Sequence, residues 1–316
     1  MDPPYVIRDG AVGPRYSAAN VYHAPVAPRR GQDRQGAAPG LSSRPADRMP
    51  ALPSKLMQTM VTQLIRRPID WVRRGVRALG FDLVRYDALP RDLDPEIARI
   101  VRLSHRHSMT SLPRLVALCE SVKYIVENQI EGDLVECGVW KGGSMIAVAN
   151  MLLALGDRSR NLHLYDTYEG MTEPTERDVE FTGKTAGALL ALSDKTDPES
   201  VWASTPLDGV KQGVLGTGYE PSKVNFVKGR VEDTIPRQAP DHIALLRLDT
   251  DWYESTRHEL VHLFPRLVPG GVLIIDDYGH WLGARRAVDE YIVEHRLPLM
   301  LHRIDFSGRC AIKWRL

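Results

Sequence analysis

Residues 132–155 read GDLVECGVWKGGSMIAVANMLLAL. DLVECGV is a short, almost continuous apolar run, the pattern of a strand covered on both faces. SMIAVANMLLAL is apolar all round, which predicts a helix buried against a sheet. Between them Gly138, Gly142 and Gly143 form a turn that allows positive φ and lets backbone approach a ligand closely. The helix that follows offers free N–H groups at its start, with Ser144 or the glycine turn expected to cap it. Strand, turn and helix in this order open a βαβ unit, and in open α/β sheets ligands lie beyond the carboxyl ends of the strands. The spacing G-x3-G-G departs from the dinucleotide pattern G-x-G-x-x-G, which argues against a nicotinamide cofactor.

The same alternation continues downstream. NLHLYD, KVNFVKG, IALLRLD and GVLIIDD read as buried strands, and STRHELVHLFPRL and ARRAVDEYIVEH as helices. The predicted fold class is α/β, a doubly wound and mostly parallel seven-stranded sheet. The closing runs MLHRIDF and AIKWRL, joined by SGRC, predict an antiparallel β-hairpin at the C-terminus. Asp166 ends the second strand, where a carboxylate accepts both hydroxyl protons of a ribose. The segment 229–233 after the third strand, which includes Glu232, is placed to flank an adenine. Together these features suggest an adenosine-bearing cofactor.

Two acidic pairs stand at the ends of consecutive strands: Asp249 and Asp251 in LRLDTDWYEST, and Asp276 and Asp277 in LIIDDYGH. Parallel strands deliver all four to one edge of the sheet, where their mutual repulsion calls for a cation. Magnesium takes about six oxygen ligands. Asp249, Asp276 and Asp277 as ligands leave room for two oxygens of a vicinal diol or a catechol, and Asp251 or His280 is placed to accept a proton.

Of 316 residues, 43% are hydrophobic and 26% charged, and the formal net charge is +1, which predicts no attraction to nucleic acid. Cys119, Cys137 and Cys310 lack disulfide or zinc spacing, and no apolar run reaches membrane-spanning length. A cytoplasmic setting is expected. Residues 1–50, rich in Pro, Gly, Ala and Arg, read as a disordered tail. Residues 54–80 are amphipathic and basic, and Pro68 divides them into two helices. Such helices suit a cover for the core or a homodimer contact, with a peripheral membrane contact as the alternative.

The motifs VECGVWKGG, YDTYEG, FVKGRVEDTIP, LLRLDTDWYEST and VLIIDDYG, with the later RRAVDEY, together resemble the macrocin O-methyltransferase family over roughly residues 102–316. The resemblance implies a class I, Rossmann-like domain at 113–316, preceded by a helical extension or lid at 51–112. It implies S-adenosyl-L-methionine and Mg2+ as cofactors, and transfer of a methyl group to a hydroxyl of a sugar or glycosylated metabolite. Glu136, Gly138 and Gly142, with Ser144 beside them, would line the methionine end of the cofactor and Asp166 its ribose. Asp249, also within reach of the cofactor, would ligate the metal with Asp276 and Asp277, and Asp251 would be the base. HRHSMTS, residues 105–111, resembles a segment that closes over the cofactor, with Met109 and Thr110 as contacts. Residues 171–221 form a long polar insertion where a substrate lid is expected, and His280 and Trp281 are placed to line the acceptor pocket, with ordinary packing the equal alternative for Trp281. Other readings are methylation of a catechol or phenol, and a protein that binds S-adenosylmethionine without turnover.

Overall fold

The computed structural model describes residues 71–72, 74–79, 89–195, 197 and 200–314. The expected tail, Pro68 and most of the amphipathic stretch lie outside the described residues. Residues 71–72 and 74–78 are helical and belong to a unit separate from the one that begins at Leu83.

The larger unit opens with α1 (Pro95–Ser104) and α2 (Leu112–Glu127). Both start as side-chain caps dictate: Asp94 accepts from the Glu96 N–H at 2.9 Å, Ser111 accepts from the Arg114 N–H at 3.4 Å, and a proline occupies the first turn of each. The sheet follows as β1 (Asp133–Cys137), α3 (Gly143–Ala154), β2 (Leu162–Asp166), α4 (Ala186–Leu192), α5 (Leu207–Leu215), β3 (Val224–Lys228), α6 (Val231–Thr234) and β4 (Ile243–Leu248). It closes with α7 (Tyr253–Leu263), β5 (Leu267–Ile275), α8 (Leu282–Glu294), β6 (His302–Arg303) and β7 (Arg309–Ile312).

The strand order is β3-β2-β1-β4-β5-β7-β6. Strands β1 to β5 are parallel, and β7 runs antiparallel between β5 and β6, so the expected hairpin is present and its second strand is the inner one. The chain leaves β1 toward β2 and later returns to its other side as β4. That reversal places the crevice at the carboxyl ends of β1 and β4.

Alternation along the strands builds two cores. Val272 and Ile274 of β5 face the layer of α1, α2 and α3, whereas Leu273 and Ile275 face α7 and α8. Glu136 is in register with Arg247, and Arg247 with Ile274. The first core is therefore apolar at Leu134, Leu245 and Ile274 and turns ionic one step later, at Glu136, Arg247 and Asp276.

The insertion is less of a lid than its polarity suggests. Val210 and Val214 of α5 are fully buried in the first core, because i, i+4 spacing puts both on one helical face. Trp281 packs edge-on against Trp252 at 4.9 Å with 4% of its surface exposed, in a small core with Ala186 and Leu190. It is a packing residue rather than a platform for a sugar, since its indole face is covered by the insertion.

Candidate active site

The glycine turn is shaped by close approaches as well as by any ligand. Gly138 has φ +84°, and a Cβ there would lie 1.9 Å from the Asp249 carbonyl oxygen, so the ends of β1 and β4 meet only because this residue is glycine. Gly142, at φ +81°, forms the N-terminal boundary of α3, so the glycine and not Ser144 ends the helix. Ser144 is buried beside the Glu136 carboxylate and favours its charged form. At Gly143 a Cβ would stand 2.4 Å from the His107 carbonyl oxygen. This contact lays residues 105–111 across the start of α3. Gly143→Ala is expected to push that segment away and to lower stability by about 1–3 kcal/mol through overpacking, read from the urea midpoint; an unchanged midpoint would show that the segment is not held there.

Asp166 ties the turn together. Its Oδ2 accepts from the Val139 and Trp140 N–H groups at 2.6 and 3.1 Å, and its Oδ1 from the Tyr168 N–H at 2.6 Å. The Thr167 hydroxyl lies 3.5 Å from the same Oδ1 but donates its one proton to the Gly170 carbonyl at 2.7 Å, so one of the carboxylate's roughly four lone-pair sites, on Oδ1, is left for a ribose hydroxyl. Met109 is half-exposed, and Glu232, on α6, lies 3.5 Å from the Arg230 guanidinium. Among the described residues, neither forms a hydrogen bond or ion pair with the turn.

Arg247, its side chain 3% exposed, is the hub of the site. Its guanidinium donates to Glu136 Oε1 at 2.7 Å, Asp249 Oδ2 at 2.7 Å, Asp276 Oδ1 at 2.6 Å and Thr110 Oγ1 at 2.8 Å. Arg114 pairs with the other Asp276 oxygen and with Asp305 at 3.0 Å. Asp276 therefore stands apart from the expected set: two guanidiniums hold its carboxylate. Burial pushes the Glu136 carboxyl up to about 7, with Arg247 pulling the other way.

The carboxylates that converge are those of Asp249, which Arg247 alone holds, and of Asp251 and Asp277, with one oxygen from each within 4.8 Å of the others. Burial raises the Asp249 carboxyl, opposed by Arg247 and reinforced by Asp276 and Asp277. Burial and then the Asp251 and Asp276 charges raise Asp277, whose buried Oδ2 has no hydrogen-bond partner. Asp251 is pushed up to about 7, chiefly by burial, and its backbone is held at φ +68°, a strained conformation for a non-glycine residue. Hard oxygen donors, an unpartnered oxygen and excess negative charge are a donor set that suits a divalent cation such as magnesium. His280 sits at the rim, its Nε2 3.6 Å from Glu180 Oε1, and burial lowers its pKa.

Several polar groups in and around the site carry little signal in the sequence. Arg247 had a signal, a lone arginine inside the apolar run IALLRLD. Arg114 and Asp305 carried none, being 191 residues apart in sequence. Glu259 is fully buried on α7, and its Oε1 accepts from the Thr250 hydroxyl at 2.9 Å. Asp178, also fully buried, accepts from the Tyr253 N–H at 2.8 Å and so anchors the insertion to the start of α7. The pair His258 and His262 stacks at 4.4 Å, with His258 Nε2 lying 3.1 Å from the Ile235 carbonyl.

Residues 101–315 match the sequence model of the macrocin O-methyltransferase family, which spans every element of the site. The chain belongs to that family. Among its curated relatives is the 8-demethyl-8-(2,3-dimethoxy-alpha-L-rhamnosyl)-tetracenomycin-C 4'-O-methyltransferase of Streptomyces olivaceus, 35% identical over 73% of this chain and 83% of the relative. Another is the demethyldecarbamoylnovobiocin O-methyltransferase of Streptomyces niveus, 32% identical over 65% of this chain and 75% of the relative. The solved O-methyltransferase NovP superposes with a TM-score of 0.58 at 30% identity, covering 66% of this chain and 83% of that one. This macrocin O-methyltransferase family member is an enzyme that transfers methyl groups from S-adenosylmethionine to oxygen.

Proposed function

We propose that the protein methylates a hydroxyl of a sugar or glycosylated metabolite and requires a divalent cation, most simply Mg2+, to do so. The observation behind this reading is the triad of Asp249, Asp251 and Asp277 beside the glycine turn, with a buried, unpartnered Asp277 oxygen. The relatives' names supply the acceptor class. A cation held by Asp249 and Asp277, with Asp251 facing it, would lower the pKa of the acceptor hydroxyl and fix its oxygen in place.

The chain's own residues account for the rest. Glu136, Ser144 and the first turn of α3 offer hydrogen-bonding groups to the amino acid end of the donor, and Asp166 has lone pairs for its ribose. Thr110 and residues 105–111 cover the site and exclude water. The acceptor oxygen attacks the donor methyl in line, the carbon–sulfur bond breaks as the carbon–oxygen bond forms, and the acceptor proton passes to Asp251. A carboxyl near 7 is suited to that task at neutral pH. Three unpaired cysteines support a cytoplasmic setting, and among the described residues no helix is long and apolar enough to cross a membrane.

Purified protein with labelled donor, Mg2+ and a panel of glycosides and nucleotide sugars tests the reading. Label should reach a sugar hydroxyl, disappear with EDTA and return with added Mg2+; transfer that is indifferent to EDTA removes the metal from the account. Calorimetry separates the ligand sets. Asp251→Asn and Asp277→Asn should each weaken Mg2+ binding by roughly tenfold or more, and Asp276→Asn by less. The opposite order would mean that Arg247 and Arg114 release Asp276 to the cation.

A further inference from the structure

Three aromatic rings from three separate stretches of chain meet at the rim of this site. Phe181 comes from the insertion, His280 from the loop after β5, and Phe306 from the turn between β6 and β7. The ring centroids lie 5.6 Å apart for Phe181 and His280, 6.3 Å for Phe181 and Phe306, and 6.2 Å for His280 and Phe306, all edge to face.

Each ring rests on fixed backbone. The Phe181 N–H donates to the His280 carbonyl at 2.9 Å, and the His280 N–H to the Asp277 carbonyl at 3.0 Å. The Ser307 hydroxyl donates to the Asp276 carbonyl at 2.6 Å, and a Cβ on Gly279 would fall 1.9 Å from the Phe306 carbonyl oxygen. The collar is thus built on the loop that carries Asp276 and Asp277. Yet Phe181 and Phe306 remain 55% and 53% exposed. Phenyl rings left this open beside an acidic site mark a place for an apolar ligand surface.

We propose that Phe181, His280 and Phe306 form a specificity collar for an aromatic aglycone attached to the sugar that is methylated. This rests on the sugar O-methylation reading above and adds an order of events: a glycosyl transfer to the aromatic compound must precede methylation. Charge argues the same way. Glu180 lies beside His280, its carboxylate oxygen 3.6 Å from the ring nitrogen, a poor neighbour for the diphosphate of a nucleotide sugar. The neighbouring guanidiniums are engaged, Arg114 by Asp276 and Asp305, and Arg303 by the Asp305 and Phe306 carbonyls.

The test compares p-nitrophenyl and methyl glycosides of the same hexoses and 6-deoxyhexoses, with their nucleotide diphosphate forms, on the full chain with Mg2+. The aryl glycoside should have the lowest KM. Phe181→Ala and Phe306→Ala should each raise it by roughly three- to tenfold, with kcat and the methyl glycoside KM little changed, while Phe306→Trp keeps the preference. A preference for the nucleotide sugar, or an aryl preference untouched by the alanine variants, overturns the collar. If no sugar is methylated, the proposed function fails, and calorimetric binding of the aryl glycosides in the presence of S-adenosylhomocysteine then judges the collar alone. Binding that both alanine variants lose sustains it; binding they share with the parent, or none by the parent, overturns it.

Discussion

Arg247→Met is expected to lower the unfolding free energy by about 3–5 kcal/mol, because removing one partner of a buried ionic network strands the charges it leaves behind. Here those charges are Glu136, Asp249 and Asp276, all within 2.7 Å of the guanidinium. Methionine fills similar volume, so the loss reports charge and not a cavity. The register of β1 against β4 fixes Glu136 opposite Arg247, and no other described cation is bonded to Glu136. Arg247→Lys should recover only part, since one ammonium cannot reach four acceptors in the fork geometry of a guanidinium. Urea unfolding decides the matter. A loss under about 1 kcal/mol would mean that the carboxyls take up protons and the network is neutral.

At Mg2+ concentrations that saturate the variant, Asp251→Asn is expected to cut kcat by about 10²–10⁴ with KM for the acceptor little changed, the range for loss of a general base. Stability should move the other way. The Asp251 carboxyl is raised from 3.8 to about 7, chiefly by burial. A folded pKa above the unfolded one contributes stability that is full below the unfolded value and is lost as pH rises through the folded one. In metal-free protein the Asn variant should therefore match the parent near pH 4 and be the more stable above pH 7. Chemical denaturation at several pH values reads the crossover. A variant that loses activity and stability together at pH 8 would make Asp251 a structural residue.

The strands and their order of appearance were legible in the sequence because burial on both faces writes itself as unbroken apolar runs, in DLVEC and IALLRL alike. The hairpin was legible in the short spacing of its two strands. The acidic pairs were legible because they interrupt those runs at their carboxyl ends. Residues 171–221 were only partly legible, since a polar average hid Val210 and Val214 spaced for one face of α5, and hid the buried Asp178 that ties the insertion to α7. Trp281 was open between two roles, because an indole reads the same in a pocket as in a core, and its burial against Trp252 and the insertion decides for the core.

Local pattern thus determines which residues are strand, helix and turn here, and that the acids gather at one edge of the sheet. Which acid is neutralised by protein and which is left facing an open charge depends on partners distant in sequence. Arg114 and Thr110 meet Asp276 across more than 160 residues, whereas Asp251 and Asp277 face each other and Asp249 with no guanidinium on the Asp277 oxygen that remains unpartnered. Charge compensation acts over a few ångströms of space whatever the separation along the chain, so only the folded arrangement of β1, β4, β5 and α2 gives Asp276 two guanidiniums, Asp249 one, and leaves Asp251 and Asp277 facing each other.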